Sequence, residues 1–329
     1  MTKPIRVRIA GTGSYVPDKV LSNADLERMV DTSDEWIMTR TGIKERHLAA
    51  PDQSTSDLAV VASRRALESA KLAPLDLDLI IVATITPDMQ FPSTSCLLQE
   101  KIGAKNAFCF DIGAACSGFI YGVEVANMFL KSGAYKNALI VGAEKLSSIV
   151  DWTDRSTCIL FGDGAGAAVL VADKSESGIV TTYLASDGSS ANLLMLPAGG
   201  SKIPATVDTI ANRLHFLKME GREVFKCAVT AMEQATGEVL KRAGLKTADI
   251  TWLITHQANM RIISALAKRL ELPDEKVYKN VDRYGNMSSA STAVGLDEVI
   301  RSGKLKKGDI ILMVVFGSGL TWGSCVIKW

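Results

Sequence analysis

Short continuous apolar runs alternate along this chain with longer stretches whose apolar residues recur at helical spacing, and this alternation predicts an α/β protein. Val7–Ala10 predicts a strand running into Gly11-Thr12-Gly13, and Asn23–Val30 a helix behind an Asn or Ser cap. Thr32–Ile43 reads as a polar loop. From residue 56 the alternation becomes regular. Leu58–Lys71 is helical by period, Leu79–Thr84 a buried strand, and Ser93–Ile102 a second helix. Ala107–Phe110 is a strand, followed by a turn of small residues. A helix follows, with Phe119, Val123, Ala126 and Leu130 on one face. Ala138–Gly142 is another strand, and the glycine-rich run Phe161–Val171 leads into one more.

The second half repeats this order. Glu223–Ala243 is helical, Ile250–His256 a strand, Ile262–Leu270 a helix and Val277–Val281 a strand. The turn at Tyr284–Ala290 opens a helix to Ile300, Ile310–Phe316 is a strand, and Gly317-Ser318-Gly319 turns into a last strand, Thr321–Lys328. Leu79–Thr84 matches Leu253–His256, and the turn at Cys116 matches the turn at Asn286. Ala138–Gly142 with Phe161–Gly164 matches Ile310–Val315 with Phe316–Gly319. The expectation is two duplicated αβ halves, residues 1–174 and 175–329, facing each other about a pseudo-twofold. Residues near 173–222 read as a connection with loops covering one face.

Composition narrows the class. With 47% hydrophobic and 22% charged residues a sizeable core is expected, and a net charge of +1 argues against a general nucleic-acid binder. No apolar run reaches the roughly 18 residues that would span a bilayer. The segment Met1–Arg8 lacks the apolar core of a signal peptide. Six scattered cysteines without a Cys-x-x-Cys pair point to a reduced, cytoplasmic protein. Gly11-Thr12-Gly13 is no dinucleotide fingerprint, because the third glycine is missing and Pro17-Asp18 falls where the phosphate-binding helix should begin. Gly162–Gly166 lacks the Gly-Lys-Ser/Thr of a phosphate-binding loop, so its glycines are expected to let two backbones approach closely.

Candidate chemistry starts at Cys116. Placed at the first turn of a helix, it reads either as a nucleophile whose thiolate is favoured by the helix end or as a buried structural thiol. Of the three histidines, His47 lies in a charged loop and His215 in an irregular segment. Only His256 ends a buried strand. If strand ends converge across the pseudo-twofold, His256 and Asn286 face Cys116, because ligands collect at the carboxyl ends of strands in open α/β sheets. An imidazole and a neutral amide side by side can donate two hydrogen bonds to one developing enolate oxygen.

Ala115-Cys116-Ser117-Gly118, His256-Gln257-Ala258-Asn259-Met260-Arg261 and Tyr284-Gly285-Asn286 together resemble the motifs of the β-ketoacyl-acyl-carrier-protein synthase III family. So do Asp34-Glu35-Trp36, Thr39-Arg40-Thr41-Gly42-Ile43, Phe161–Ala167 and Thr321-Trp322-Gly323-Ser324. The similarity covers essentially the whole chain. One departure is Gly317-Ser318-Gly319, where the family usually shows three glycines. The resemblance implies a thiolase-like αβαβα layered fold, with the nucleophile in the first half and the His/Asn pair in the second. It also implies a decarboxylative condensation of an acyl-CoA primer with a malonyl-acyl-carrier protein. Cys116, His256 and Asn286 would be catalytic, with backbone N–H groups of Cys116 and Ser318 as the oxyanion hole. Thr32, Trp36, Arg40 and Arg155 would hold CoA. Lys226, Gln257, Ala258, Asn259, Met260, Arg261, Lys268 and Arg269 would meet the acidic carrier, although such basic residues can also be a merely solvated face. Phe91 matches the residue that caps the partner's acyl pocket in a homodimer, and by sequence alone could equally be core. No metal, flavin or nicotinamide is implied. A related condensing enzyme of polyketide or quinolone synthesis is the alternative. A degradative thiolase would need a second active-site cysteine, and Cys325 lies within a predicted strand.

Overall fold

A computed structural model describes residues 5–329, so Met1–Pro4 of the segment lacking an apolar leader lie outside the described residues. Two five-stranded mixed sheets dominate. The first contains β1 (Arg6–Tyr15), β2 (Leu79–Ala83), β3 (Phe108–Ile112), β4 (Asn137–Glu144) and β5 (Gly164–Asp173), in the order β1-β5-β4-β2-β3. The second contains β6 (Gly178–Ser186), β7 (Trp252–Thr255), β8 (Val277–Tyr278), β9 (Ile310–Gly317) and β10 (Thr321–Lys328), in the order β8-β7-β9-β10-β6. In each sheet the last-formed central strand pairs antiparallel on one side and parallel on the other, in the same sequence of directions. β1 to β5 therefore correspond one by one to β6 to β10; the matched segments anticipated the pairs β2/β7, β4/β9 and β5/β10.

The helices α1 (Asp34–Thr41), α2 (Thr55–Ala70), α3 (Thr94–Ile102), α4 (Gly118–Lys131), α5 (Gly221–Ala243), α6 (Met260–Arg269) and α7 (Ser289–Arg301) complete the layers. Side chains alternate across a strand, so one buried run feeds two cores. Ile80 and Val82 of β2 face α2 and α3, whereas Leu79 and Ile81 face α4. In the second sheet Leu312 and Val314 pack with α5 and α6, and Ile311 and Met313 with the central layer of α4 and α7. The result is α2/α3, sheet, α4/α7, sheet, α5/α6. This arrangement puts the amino ends of the two central helices beside the carboxyl ends of the parallel strands.

Four local expectations change. The segment near 173–222 contains β6, an edge strand on β10, whose pattern is blurred because Thr182 occupies a buried position and Val180 an exposed one. The stretch 32–43 contains α1, capped by Ser33 and ended by Gly42 at φ 73; its contiguous Trp36-Ile37-Met38 hides any helical period. The strand expected to reach Val281 stops at Tyr278, since Asn280 turns its N–H to Gln257 Oε1 at 3.0 Å and a short helix Val281–Tyr284 follows. The helix expected over Asn23–Val30 stops at Glu27, with Arg28 as its C-cap.

The glycines are placed for close approach. A Cβ on Gly13 would lie 2.4 Å from Ala62 O, so the Gly11–Gly13 segment presses β1 onto α2. A Cβ on Gly166 would lie 2.6 Å from Ala293 Cβ and from Val294 N, which is the close approach expected of this run. Gly166→Val is expected to lower stability by about 3 kcal/mol, the upper end for overpacking, because both sheet and helix backbone would have to move. Denaturant unfolding would register this as an earlier midpoint; a midpoint equal to that of the native protein would refute the packing argument.

Candidate active site

β3 ends at Ile112, and the chain makes a single 3-10 turn, Ala115–Ser117, before α4. Ala115 has φ 45, a left-handed conformation costing a non-glycine residue about 1–3 kcal/mol. The neighbouring turn after β9 holds it there. Ser117 Oγ donates to Thr321 O at 3.0 Å, Thr321 Oγ1 donates to Ala114 O at 3.1 Å, and Gly317 lies so close that a Cβ would sit 2.8 Å from Cys116 N. Cys116 is thus presented on a sharp, clasped turn, as in a nucleophile elbow. Its thiol is buried, and burial pushes it up to about 12, with the Glu144 carboxylate adding in the same direction. The 3-10 turn that carries Cys116 runs directly into α4 at Gly118, so Cys116 stands at the start of the helix as expected.

His256 follows β7, and its N–H donates to Val314 O at 2.8 Å. The ring is buried, Nδ1 has no hydrogen-bond partner in the protein, and burial lowers its pKa to about 4. The imidazole is neutral at pH 7 and carries one N–H to donate. Asn286 is locked by its backbone, with its N–H on Leu160 O at 2.8 Å and its C=O accepting from Gly162 at 3.1 Å. Its Oδ1 accepts from Ser288 N at 2.8 Å, which leaves the Nδ2 hydrogens to be donated.

The structure brings Cys116, His256 and Asn286 together on the wall of one cavity of about 740 Å³. Gly317 shares that wall; Ser318 is set back, its Oγ donating to Leu194 O. Leu194, Met219, Phe225, Met232 and Phe316 supply apolar lining that sequence reasoning missed, because nothing in their local pattern separates cavity from core.

Trp36 and Arg40 also line the cavity. The Arg40 guanidinium lies 4.5 Å and that of Arg155 5.2 Å from the Trp36 ring centre, the attraction expected of cations over an aromatic face. Arg155 is steadied by donating to Asp31 O at 2.8 Å. Thr32 keeps a buried Oγ1 with no partner. Lys226, Ala258, Asn259 and Arg261 stand on the same wall, with Arg261 5.5 Å from the Phe225 ring centre and Lys226 bonded to Glu223 at 2.9 Å. Asn259 caps α6, accepting from Arg261 N at 2.8 Å and donating to Arg40 O at 3.1 Å; Met260 follows against Gly42. Lys268 and Arg269 are exposed on the last turn of α6, away from the cavity, and Arg269 pairs with Glu233.

One surface expectation and one core reading fail. Gln257 is fully buried, with Nε2 donating to Thr255 O at 2.9 Å and Tyr278 O at 3.2 Å, so it braces β7 and β8 and cannot meet a carrier. Phe91 is 83% exposed and absent from the cavity of its own chain, which excludes the core reading.

Comparison with known proteins agrees with this geometry. The family described as 3-oxoacyl-[acyl-carrier-protein] synthase III matches residues 110–188, and its C-terminal part matches residues 240–329. The β-ketoacyl-[acyl-carrier-protein] synthase III of Caldanaerobacter subterraneus is 60% identical over 100% of this chain and 99% of its own. The crystal structure of 3-oxoacyl-[acyl-carrier-protein] synthase III from Aquifex aeolicus superposes with a TM-score of 0.91 at 50% identity, covering 98% of this chain and 100% of that one. The priming β-ketosynthase of the R1128 polyketide biosynthetic pathway gives a TM-score of 0.90 at 36% identity, over 99% and 97%. With cysteine turn, histidine strand and asparagine turn meeting at one cavity, and with this identity along its full length, the chain belongs to the 3-oxoacyl-[acyl-carrier-protein] synthase III family.

Proposed function

We propose that this acyltransferase condenses an acyl-CoA primer with malonyl-acyl-carrier protein, giving 3-oxoacyl-carrier protein, CoA and CO₂, the step that begins fatty acid synthesis. The observation that carries the reading is the meeting of Cys116, His256 and Asn286 on one cavity wall although the two halves supply them separately. In the first half-reaction Cys116 sulfur attacks the thioester carbonyl, CoA leaves, and an acyl-enzyme remains. In the second, malonyl-carrier protein loses CO₂, and the electron pair of the broken C–C bond forms an enolate. His256 and Asn286 each donate one hydrogen bond to that enolate oxygen, which then returns its electrons through carbon to the acyl-Cys116 carbonyl. Backbone N–H groups of Cys116 and Ser318 hold the tetrahedral oxyanion, each such donor being worth roughly 3 kcal/mol. No redox group takes part in this scheme.

Trp36, Arg40 and Arg155 offer a flat cationic stack for the adenine and phosphates of CoA, with Thr32 beside it. Lys226 and Arg261, with Ala258, Asn259 and Met260 beneath them, form the near part of a basic approach for an acidic carrier, and Lys268 and Arg269 its far part. A homodimer fits the edge strand β3, which has no partner on its outer side, and the exposed Phe91 would then reach the other subunit's cavity. No helix among the described residues is long and apolar enough to cross a membrane. Together with six free cysteines this suits the proposed cytoplasmic setting.

The test is to mix the protein with an acyl-CoA and malonyl-carrier protein and look for 3-oxoacyl-carrier protein by mass; absence of product with acetyl-, branched- and longer acyl-CoA alike would refute the reading. Arg261→Glu is expected to raise KM for malonyl-carrier protein about tenfold while leaving KM for acyl-CoA nearly unchanged, since charge reversal at one contact alters association mainly with the charged partner. Equal changes in both would mean that Arg261 serves CoA. The likeness to a polyketide priming synthase favours a second reading, in which the same chemistry starts a polyketide; the choice of carrier protein distinguishes the two.

A further inference from the structure

Arg46 lies in the two-stranded ribbon formed by Lys19–Ser22 and Glu45–Leu48, opposite Leu21. It is completely buried, and its hydrogen bonds end on neutral oxygens. Nη1 donates to Leu21 O at 3.1 Å and Asn23 Oδ1 at 2.9 Å, and Nη2 donates to Ile159 O at 2.8 Å. Nε is buried with no partner among the described residues. Burial lowers the guanidinium to about 10, so it is still charged at pH 7. A buried cation held by neutral acceptors, with one N–H unpartnered, is a poor way to gain stability compared with an apolar side chain of similar volume. Stability alone does not account for it.

The Ile159 end of this cation reaches the active site. Ile159, Leu160 and Phe161 line the cavity, and the segment 159–162 is the rail on which Asn286 is mounted. Asn286 N donates to Leu160 O at 2.8 Å, Gly162 N donates to Asn286 O at 3.1 Å, and Phe161 bridges Asn286 as a parallel strand pair. Arg46 is wedged against both parts of this mounting. A Cβ on Gly162 would lie 3.2 Å, and one on Gly285 3.3 Å, from Arg46 Cβ. Gly285 has φ 65, the turn that sends Asn286 toward the cavity. The Arg46 stem therefore sets the spacing of rail and turn, while its guanidinium holds the rail at Ile159.

The other end of the cation is anchored away from the cavity. Asn23 is buried, and its Nδ2 donates to Asp34 Oδ1 and Ile43 O, both at 2.8 Å. Asp34 opens α1 and Ile43 follows it. Arg46 thus ties Asn286, which the second half supplies, to a frame belonging wholly to the first.

We propose that Arg46 is a positioning residue for decarboxylation, holding the 159–162 rail and the Gly285 turn in the arrangement that aims the Asn286 amide at the enolate oxygen. This rests on the condensing reading above. Arg46 does not line the cavity, so it acts through Asn286 and touches no reacting atom.

The test is a double-substitution cycle in the full chain, pairing Arg46→Gln with Asn286→Ala. Arg46→Lys is carried through the same cycle, because it keeps the charge and serves as the second variant should Gln fail to fold. Two readouts are used: decarboxylation of malonyl-carrier protein, and hydrogen–deuterium exchange at the amides of Gly162 and Asn286. Alone, Arg46→Gln is expected to lower kcat for decarboxylation about 30-fold, since small misplacements of a reacting group cost up to roughly 10²-fold, with Arg46→Lys in between. In the Asn286→Ala background the same change should cost less than about twofold, because the amide whose aim it sets is gone. Exchange at both amides should quicken about tenfold in Arg46→Gln as the mounting loosens. Equal losses in the two backgrounds, which a merely structural role gives, would overturn the proposal. So would unchanged decarboxylation or unchanged exchange. Native protein that leaves malonyl-carrier protein intact, while Arg46→Gln still frees both amides, would overturn the condensing reading and leave the Asn286 mounting standing.

Discussion

Cys116→Ala is expected to take up no acyl group from acyl-CoA, with condensation falling by at least about 10³-fold, since removing a covalent nucleophile leaves only binding and oxyanion stabilisation. The protein should still fold, because only one sulfur is removed and the turn is held by Ser117, Thr321 and the close packing of Gly317. Intact-protein mass after mixing with acetyl-CoA reads the outcome directly. None of the other cysteines lines the cavity. A mass increase that survives Cys116→Ala would therefore place the acyl group on an unrelated thiol and sink the assignment.

His256→Ala and Asn286→Ala should show the reverse division. Self-acylation should stay within a few-fold of native, while decarboxylation of malonyl-carrier protein falls about 10²–10³-fold for each, the range for losing one oxyanion donor. Equal loss in both half-reactions would contradict the separate roles. The pH dependence adds a sign. Because burial lowers His256 to about 4, the neutral imidazole persists as pH falls through 6.5, and the decarboxylation step should fade only near pH 4. The same depression makes the unfolded chain bind more protons than the native one between about 4 and 6.5. Its contribution to stability is full above 6.5 and is lost as pH falls through that window. A decarboxylation profile falling with a midpoint near 6.5 would mean that the ring is solvated in the working enzyme.

The duplicated architecture was legible because β2, β4, β7 and β9 are continuous apolar runs closed by turn residues, a pattern needing no tertiary knowledge. Their equivalence then placed His256 and Asn286 opposite Cys116. What stayed hidden depends on the third dimension. β6 owes its place to pairing with β10, while its own alternation is broken by Thr182. Gln257, adjacent to the catalytic candidate, looked like surface recognition but is consumed by Thr255, Tyr278 and Asn280. Burial of the thiol, which raises its proton affinity, has no local signature in the sequence.

The layered packing also bears on synthesis. α7 comes from the far end of the chain yet packs on β1, β4 and β5 of the first sheet. Gly166 accepts it with no room to spare. As the chain emerges from the ribosome, the first sheet lacks this half of its central cover until residues near 301 have been made. An apolar surface left open for that long is the kind that nascent chains lose to aggregation. Ribosome-bound chains stopped before residue 289 should therefore recruit holding chaperones, and those extended past 301 should release them.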